Sequence, residues 1–133
     1  MKRFYQNAAL VIASLFLVMP FAHAQNTISP GTVLKGFVLD KNKKKFPMVV
    51  KITSMDNADG NFTGDVSWPS LNSVHRIEGR LTANTITFKE VSYIKKGGAH
   101  LNCEYALIID GGSLDGRWVE PGHDTGGVQL KIK

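Results

Sequence analysis

From Thr32 to the C-terminus the chain alternates apolar and polar side chains with a period of two, in short runs divided by turn residues. No stretch of useful length keeps a helical period. The pattern predicts strands near 32–39, 46–54, 61–68, 74–82, 85–92, 103–109, 113–119 and 126–132. The turns are chemically explicit: Asp40-Lys41-Asn42, residues 55–60, Ala83-Asn84, Lys96-Gly97-Gly98 and Asp110-Gly111-Gly112. Consecutive strands joined by such short connections make an antiparallel meander.

Alternation also assigns faces. Phe46, Met48, Val50 and Ile52 share one face, as do Phe62, Gly64, Val66 and Trp68. Ile77, Gly79 and Leu81 oppose Glu78 and Arg80; Leu114, Gly116 and Trp118 oppose Asp115 and Arg117; Val128, Leu130 and Ile132 oppose Gln129 and Lys131. One dry and one wet face in nearly every strand is what a single sheet curled on itself requires. The expected fold is all-β, a single antiparallel meander of about eight strands forming a small closed or nearly closed barrel.

A pattern x-Gly-x-apolar recurs at Gly36, Gly64, Gly79 and Gly116, mostly mid-strand on the dry face. Glycine weakens a strand, so it needs a reason there. Either it lets the strand coil sharply beside a bulky neighbour, or it hollows a ligand cavity. Phe62, Leu114 and Trp118 would refill such a space, which favours coiling.

With inward glycines and the Gly-x-Trp of Gly116-Arg117-Trp118, the chain resembles the calycin-type small β-barrels, the lipocalins and avidins. The resemblance implies the barrel fold. In lipocalins the Gly-x-Trp lies in the first strand, whereas here it lies in the seventh and the first strand offers Gly36-Phe37. The lipocalin disulfides have no counterpart, and the aromatic residues with which avidins hold biotin are not placed, so the resemblance carries over no ligand.

Residues 1–24 read as a cleaved secretory signal peptide: Lys2 and Arg3, an apolar run over 8–21, and Ala22-His23-Ala24 before the cut. The run is shorter than the roughly 20 residues that span a bilayer. The expected organisation is the leader 1–24, a loose polar segment 25–31, and a β-barrel domain over 32–133, exported to the periplasm or secreted. No other stretch predicts a transmembrane segment.

Losing Lys2 and Arg3 lowers the formal charge from +5 to +3, from 14 basic and 11 acidic side chains. An exported, mildly basic domain excludes nucleic acid as the expected partner. The basic run over 41–45 reads as a solvated hairpin tip, or alternatively as a contact for an anionic envelope surface. Cys103 is the only cysteine, so packing and strand pairing must stabilise the domain without an intrachain disulfide. Its row with Tyr105, Leu107 and Ile109 places it in the core.

No catalytic motif is present, and no metal or cofactor is expected. His75, His100 and His123 have no metal-ligand spacing and read as surface or packed side chains. Glu90 shares a face with Ile86 and Phe88, so it points inward and needs a partner: Tyr93, Tyr105 or backbone. Alternation turns Asp65, Glu104 and Asp115 outward. The loops after Trp68 and Trp118 fall at the same barrel end, because the third and seventh strands of a meander run in the same direction. The candidate binding residues are therefore Trp68, Asn72, Glu90, Trp118, His123 and Asp124.

The function expected first is non-catalytic recognition of a macromolecular partner, either an envelope polymer or a secreted protein, through loops at that end. The alternative is a small-molecule or glycan binder using the barrel mouth near Trp68 and Trp118. An enzyme built on Glu90 or His123 stands last, and would require two ionisable groups within hydrogen-bond reach.

Overall fold

The computed structural model describes residues 27–133. The proposed leader 1–24 lies outside the described residues. Eight strands follow in chain order: β1 Val33–Leu39, β2 Lys45–Met55, β3 Asn61–Trp68, β4 Ser73–Leu81, β5 Thr85–Lys95, β6 Glu104–Asp110, β7 Ser113–Val119 and β8 Thr125–Ile132. Each pairs antiparallel with the next, and β8 returns to β1 through Leu34↔Ile132, Gly36↔Leu130 and Val38↔Val128. The meander is a closed barrel. Closure satisfies both edges of every strand through most of the wall, which an open meander cannot do.

The interior is built by the alternation. Leu34, Met48, Val50, Ile52, Val66, Ile77, Ile86 and Leu114 are fully buried, and Phe62, Phe88, Tyr105, Leu107, Val128 and Leu130 complete the core. Phe88 stacks on Tyr105 with ring centroids 4.6 Å apart, and Phe62 meets Phe88 edge-on. The dry-face glycines allow close strand approach. A Cβ on Gly36 would overlap the carbonyl oxygen of Gln129, and one on Gly116 that of Ala106. Neither glycine lines the cavity described below; the coiling reading accounts for them.

Two departures from the sequence pattern shape the ends. Within the segment expected to be loose, the described residues 27–31 are anchored: Ile28 is 4% exposed and joins the core cluster. Gly31 N–H donates to Ile52 O and Thr32 N–H to Ser29 O, which holds the segment in place. An isoleucine among polar neighbours has an apolar reason to fold inward, and here it packs beside Leu81 and Ile109 at one barrel end.

The second departure is β5, which runs to Lys95 rather than ending near 92. It pairs with β6 only over Thr85–Lys89, while register shifts near Val74 and Arg76 keep its upper half on β4. The connection 96–103 then turns back across the other barrel end. Gly98 N–H donates to Leu71 O, and Ala99 N–H to Ser73 Oγ, pinning it to the β3–β4 turn.

Candidate functional site

The end that Ile28 does not occupy holds a cavity of about 280 Å³. Strand direction decides its walls. The C-terminal ends of β1, β3, β5 and β7 and the loops that follow them all gather here, bringing together Val38, Trp68, Glu90 and Trp118. Phe46 and Tyr105 enter from the strands beginning at this end, and Leu71, Ala99, His100 and Cys103 come from the two connections that cross it. Asp40 and Glu120 stand at the ends of β1 and β7.

Each tryptophan is positioned differently. Trp118 donates from Nε1 to the carbonyl of Leu39 at 2.8 Å, which ties β7 to the end of β1 across β8. Trp68 is 6% exposed, and its Nε1 has no partner among the described residues. A buried donor without an acceptor costs about 1–3 kcal/mol.

Glu90 is 6% exposed and points inward, as the alternation requires. Its Oε1 accepts the Cys103 amide N–H at 3.1 Å, and its Oε2 accepts the Tyr105 hydroxyl at 3.1 Å. Glu90 N–H in turn donates to Cys103 O, so this residue anchors the returning end of the 96–103 connection. His75 lies below it, fully buried, with Nδ1 3.0 Å from Glu90 Oε2. That approach is not aligned as a hydrogen bond, and both ring nitrogens lack hydrogen-bond partners among the described residues. Tyr93 covers the imidazole edge-on, with centroids 5.1 Å apart, instead of reaching Glu90.

Burial pushes the Cys103 thiol up to about 12, helped by the negative charges of Glu90 and Glu120. Burial likewise raises the Tyr105 hydroxyl well above its ordinary range, with the Glu90 charge adding to it. Both shifts favour the protonated forms at neutral pH, and Cys103, expected in the core, is half-buried on the cavity wall just before β6.

Of the residues chosen from sequence, Trp68, Glu90 and Trp118 line the cavity, and Asn72, His123 and Asp124 do not. The 120–124 loop explains two of these. His123 N–H donates to Glu120 O and Glu120 N–H to Asp124 O, closing a tight turn. The turn leaves His123 and Asp124 exposed and only Glu120 on the cavity. Asp124 sits 3.9 Å from Lys41 on the neighbouring turn. Asn72 adopts a left-handed backbone at φ 55° and accepts from Lys95 Nζ at 2.8 Å, outside the cavity.

Sequence reading offered Tyr105 as a partner of Glu90, as the structure has it, and missed Phe46 and His75 as neighbours of the site. The signal for His75 was available, since it shares the face of Ile77, but only strand register shows that this face meets Glu90. The His75–Glu90 pair does place two ionisable groups together, yet both side chains are fully buried and His75 does not border the cavity. Among the described residues no group of three His, Cys, Asp or Glu side chains is placed to hold a metal ion, and no helix is long and apolar enough to cross a membrane.

Among solved structures, a low-affinity mutant of shwanavidin is similar to this chain, with a TM-score of 0.52 over 80% of this chain and 97% of that one. The fold is an avidin-type, calycin-like barrel. Sequence identity over the match is 13%, so the likeness is one of fold. No protein-family model matches the chain, and no curated protein does either.

Proposed function

We propose that the protein binds a small molecule, without catalysis, in the mouth of its barrel between Trp68 and Trp118. The observation that carries this reading is the cavity itself. A volume of about 280 Å³ lies near the lower end of ordinary small-molecule sites, roughly 300–1,000 Å³. Aromatic walls surround a few polar groups, the composition such sites usually have. At roughly 30 Å³ per liquid-like heavy atom, the space suits a ligand of about nine or ten non-hydrogen atoms. An eight-stranded barrel has an interior just wide enough to be filled or to hold one small ligand. Here the side chains fill one end, and the other end remains hollow.

The concave, largely apolar mouth favours this reading over the macromolecular partner that the loops suggested first. The loop residues that would display such a surface, His123 and Asp124, face away from the cavity. The sealed His75–Glu90 pair offers a substrate no approach from His75, which supports a binding role rather than a catalytic one. With residues 1–24 read as a signal peptide, the binder would work in the periplasm or outside the cell, its mature chain starting at Gln25.

The chain has two tryptophans, and both line this cavity, so intrinsic emission reports on the mouth alone. A panel of small molecules and monosaccharides, biotin included, is expected to contain members that shift or quench this emission. The same members should raise the unfolding temperature, since a ligand at 100 times its Kd adds about 2.7 kcal/mol to stability. A panel that moves neither quantity overturns the proposal.

A further inference from the structure

We infer that the outer wall formed by β8, β1 and β2 docks the protein, as a peripheral contact, onto an anionic lipid bilayer. The inference concerns a different surface from the mouth and does not depend on what the mouth holds. Residues 33–55 and 125–133 carry eight lysines and a single acid, Asp40, a formal side-chain charge of +7. Residues 56–124 carry six basic and ten acidic side chains, a charge of −4. The two basic segments stand far apart in the chain, and closure of the barrel joins them, because β8 pairs with β1 and β1 with β2. A chain that is only mildly basic overall thus presents one strongly basic side.

The lysines cover this wall from end to end, and all eight are exposed. Lys41, Lys43, Lys44 and Lys45 occupy the β1–β2 turn and the start of β2. Lys35 and Lys131 face each other across the β1–β8 ladder. Lys51 stands opposite Val33 at the far end, where the Lys133 N–H donates to Val33 O. Like charges directly opposite each other weaken a sheet, so the Lys35–Lys131 pair does not serve the fold.

The protein itself neutralises little of this charge. Asp40 accepts the Asn42 and Lys44 amides of its own turn through Oδ1. Two acids reach the wall from its neighbours: Asp124 lies 3.9 Å from Lys41, and Asp65 stands opposite Lys51 across the β2–β3 ladder. With Asp40, Asp65 and Asp124 all counted against the eight lysines, an excess of five positive charges remains.

The kind of cation selects the partner. Arg76, Arg80 and Arg117 belong to β4 and β7, and none of the three wall strands carries an arginine. The planar fork of arginine reads phosphates and carboxylates in fixed paired geometry, whereas the lysine ammonium is a hydrated point charge on a flexible stem. A wall of lysines alone suits a diffuse, laterally mobile sheet of negative charge. A bilayer with anionic headgroups is such a sheet, and clusters of about four to eight basic side chains are what it attracts. With residues 1–24 read as a signal peptide, the exported barrel would meet such a membrane at the cell envelope. Each lysine near an anionic bilayer strengthens partitioning by about fivefold, and salt screens the attraction.

The test sediments the chain from Gln25 onward, which contains the whole described barrel, with lipid vesicles at about 50 mM and about 500 mM salt. One set of vesicles is phosphatidylcholine alone, and the other contains about 30% phosphatidylglycerol. At low salt the protein should partition at least about tenfold more strongly to the anionic vesicles, and high salt should remove most of that preference. The double variant Lys35→Gln/Lys131→Gln should lower partitioning about tenfold or more. Both side chains are exposed, and their removal relieves a like-charge pair, so the variant should fold, which thermal unfolding checks. Arg76→Gln/Lys89→Gln removes the same charge from exposed positions on β4 and β5 and should stay within about threefold of the parent. Equal partitioning to the two kinds of vesicle, partitioning unchanged by salt, or equal losses in the two double variants overturns the proposal. Heparin and duplex DNA are titrated in parallel. Binding to either more than about tenfold tighter than to the vesicles, per accessible anionic group, overturns the bilayer as partner. None of these outcomes bears on the small-molecule reading of the mouth, which keeps its own test.

Discussion

Glu90 shows most directly how a single residue links the fold to the site. Its carboxylate accepts from the Tyr105 hydroxyl and the Cys103 amide and lies 3.0 Å from His75 Nδ1. Truncation would remove the acceptor of the Tyr105 hydroxyl and of the Cys103 amide. Glu90→Ala should cost about 2–4 kcal/mol in urea unfolding, and Glu90→Gln distinctly less, because an amide can still meet the hydroxyl. Cys103 supplies a pH prediction. Its thiol ionises near 9.0 in an unfolded chain and near 12 in the fold. Between those values the unfolded state holds fewer protons, so stability is fully present below about pH 9 and falls as pH rises toward 12. Tyr105, raised for the same first cause, extends the loss at the alkaline end. Cys103→Ala should flatten the first part of an alkaline unfolding curve and Tyr105→Phe the later part. At pH 8 the native thiol should react with a disulfide reagent at least tenfold more slowly than in urea.

Among the elements, close strand approach can be tested directly. Gly36→Ala and Gly116→Ala would drive a methyl group into a neighbouring carbonyl, with only backbone movement to relieve it. Each should destabilise by about 2–4 kcal/mol or prevent folding. Gly127 is the control, since its Cβ would meet only Leu39 Cδ1 at 3.7 Å, and Gly127→Ala should stay within about 1 kcal/mol of the parent. Thermal unfolding of the three variants side by side separates the outcomes. Strand existence and facing were legible because alternation is a local property of the backbone. The end of β5 was not. Its residues after 92 continue as strand because they stay paired with β4, with Val91 and Ile94 as extra residues of β5 at the two register shifts, and that pairing is not visible in the local alternation. The upper half of β5 consequently leaves Tyr93 and Ile94 exposed at 42% and 50%, flanked by Lys95 and Lys96. Charged residues of this kind discourage pairing with another strand.

The whole molecule is a barrel with two unlike ends. Ile28 belongs to the packed end, and the 96–103 connection lies over the hollow one. Ile28→Ala should cost about 2–4 kcal/mol and leave tryptophan emission unchanged, since both indoles lie at the other end. A loss of ligand response in that variant without loss of stability would contradict this separation. The sequence by itself determined the strands, their faces, the meander, the inward carboxylate and the sharing of one end by Trp68 and Trp118. All of these follow from a two-residue period and from strand direction, which neighbouring residues specify. Only the tertiary structure decided that the sheet closes, that one end is filled while the other is hollow, and that His75 meets Glu90. It also decided that the 120–124 turn carries His123 and Asp124 away from the mouth. Closure and convergence depend on registers accumulated around eight strands, and the course of a loop depends on a few hydrogen bonds between residues distant in the barrel wall; neither is written in the period of any one segment.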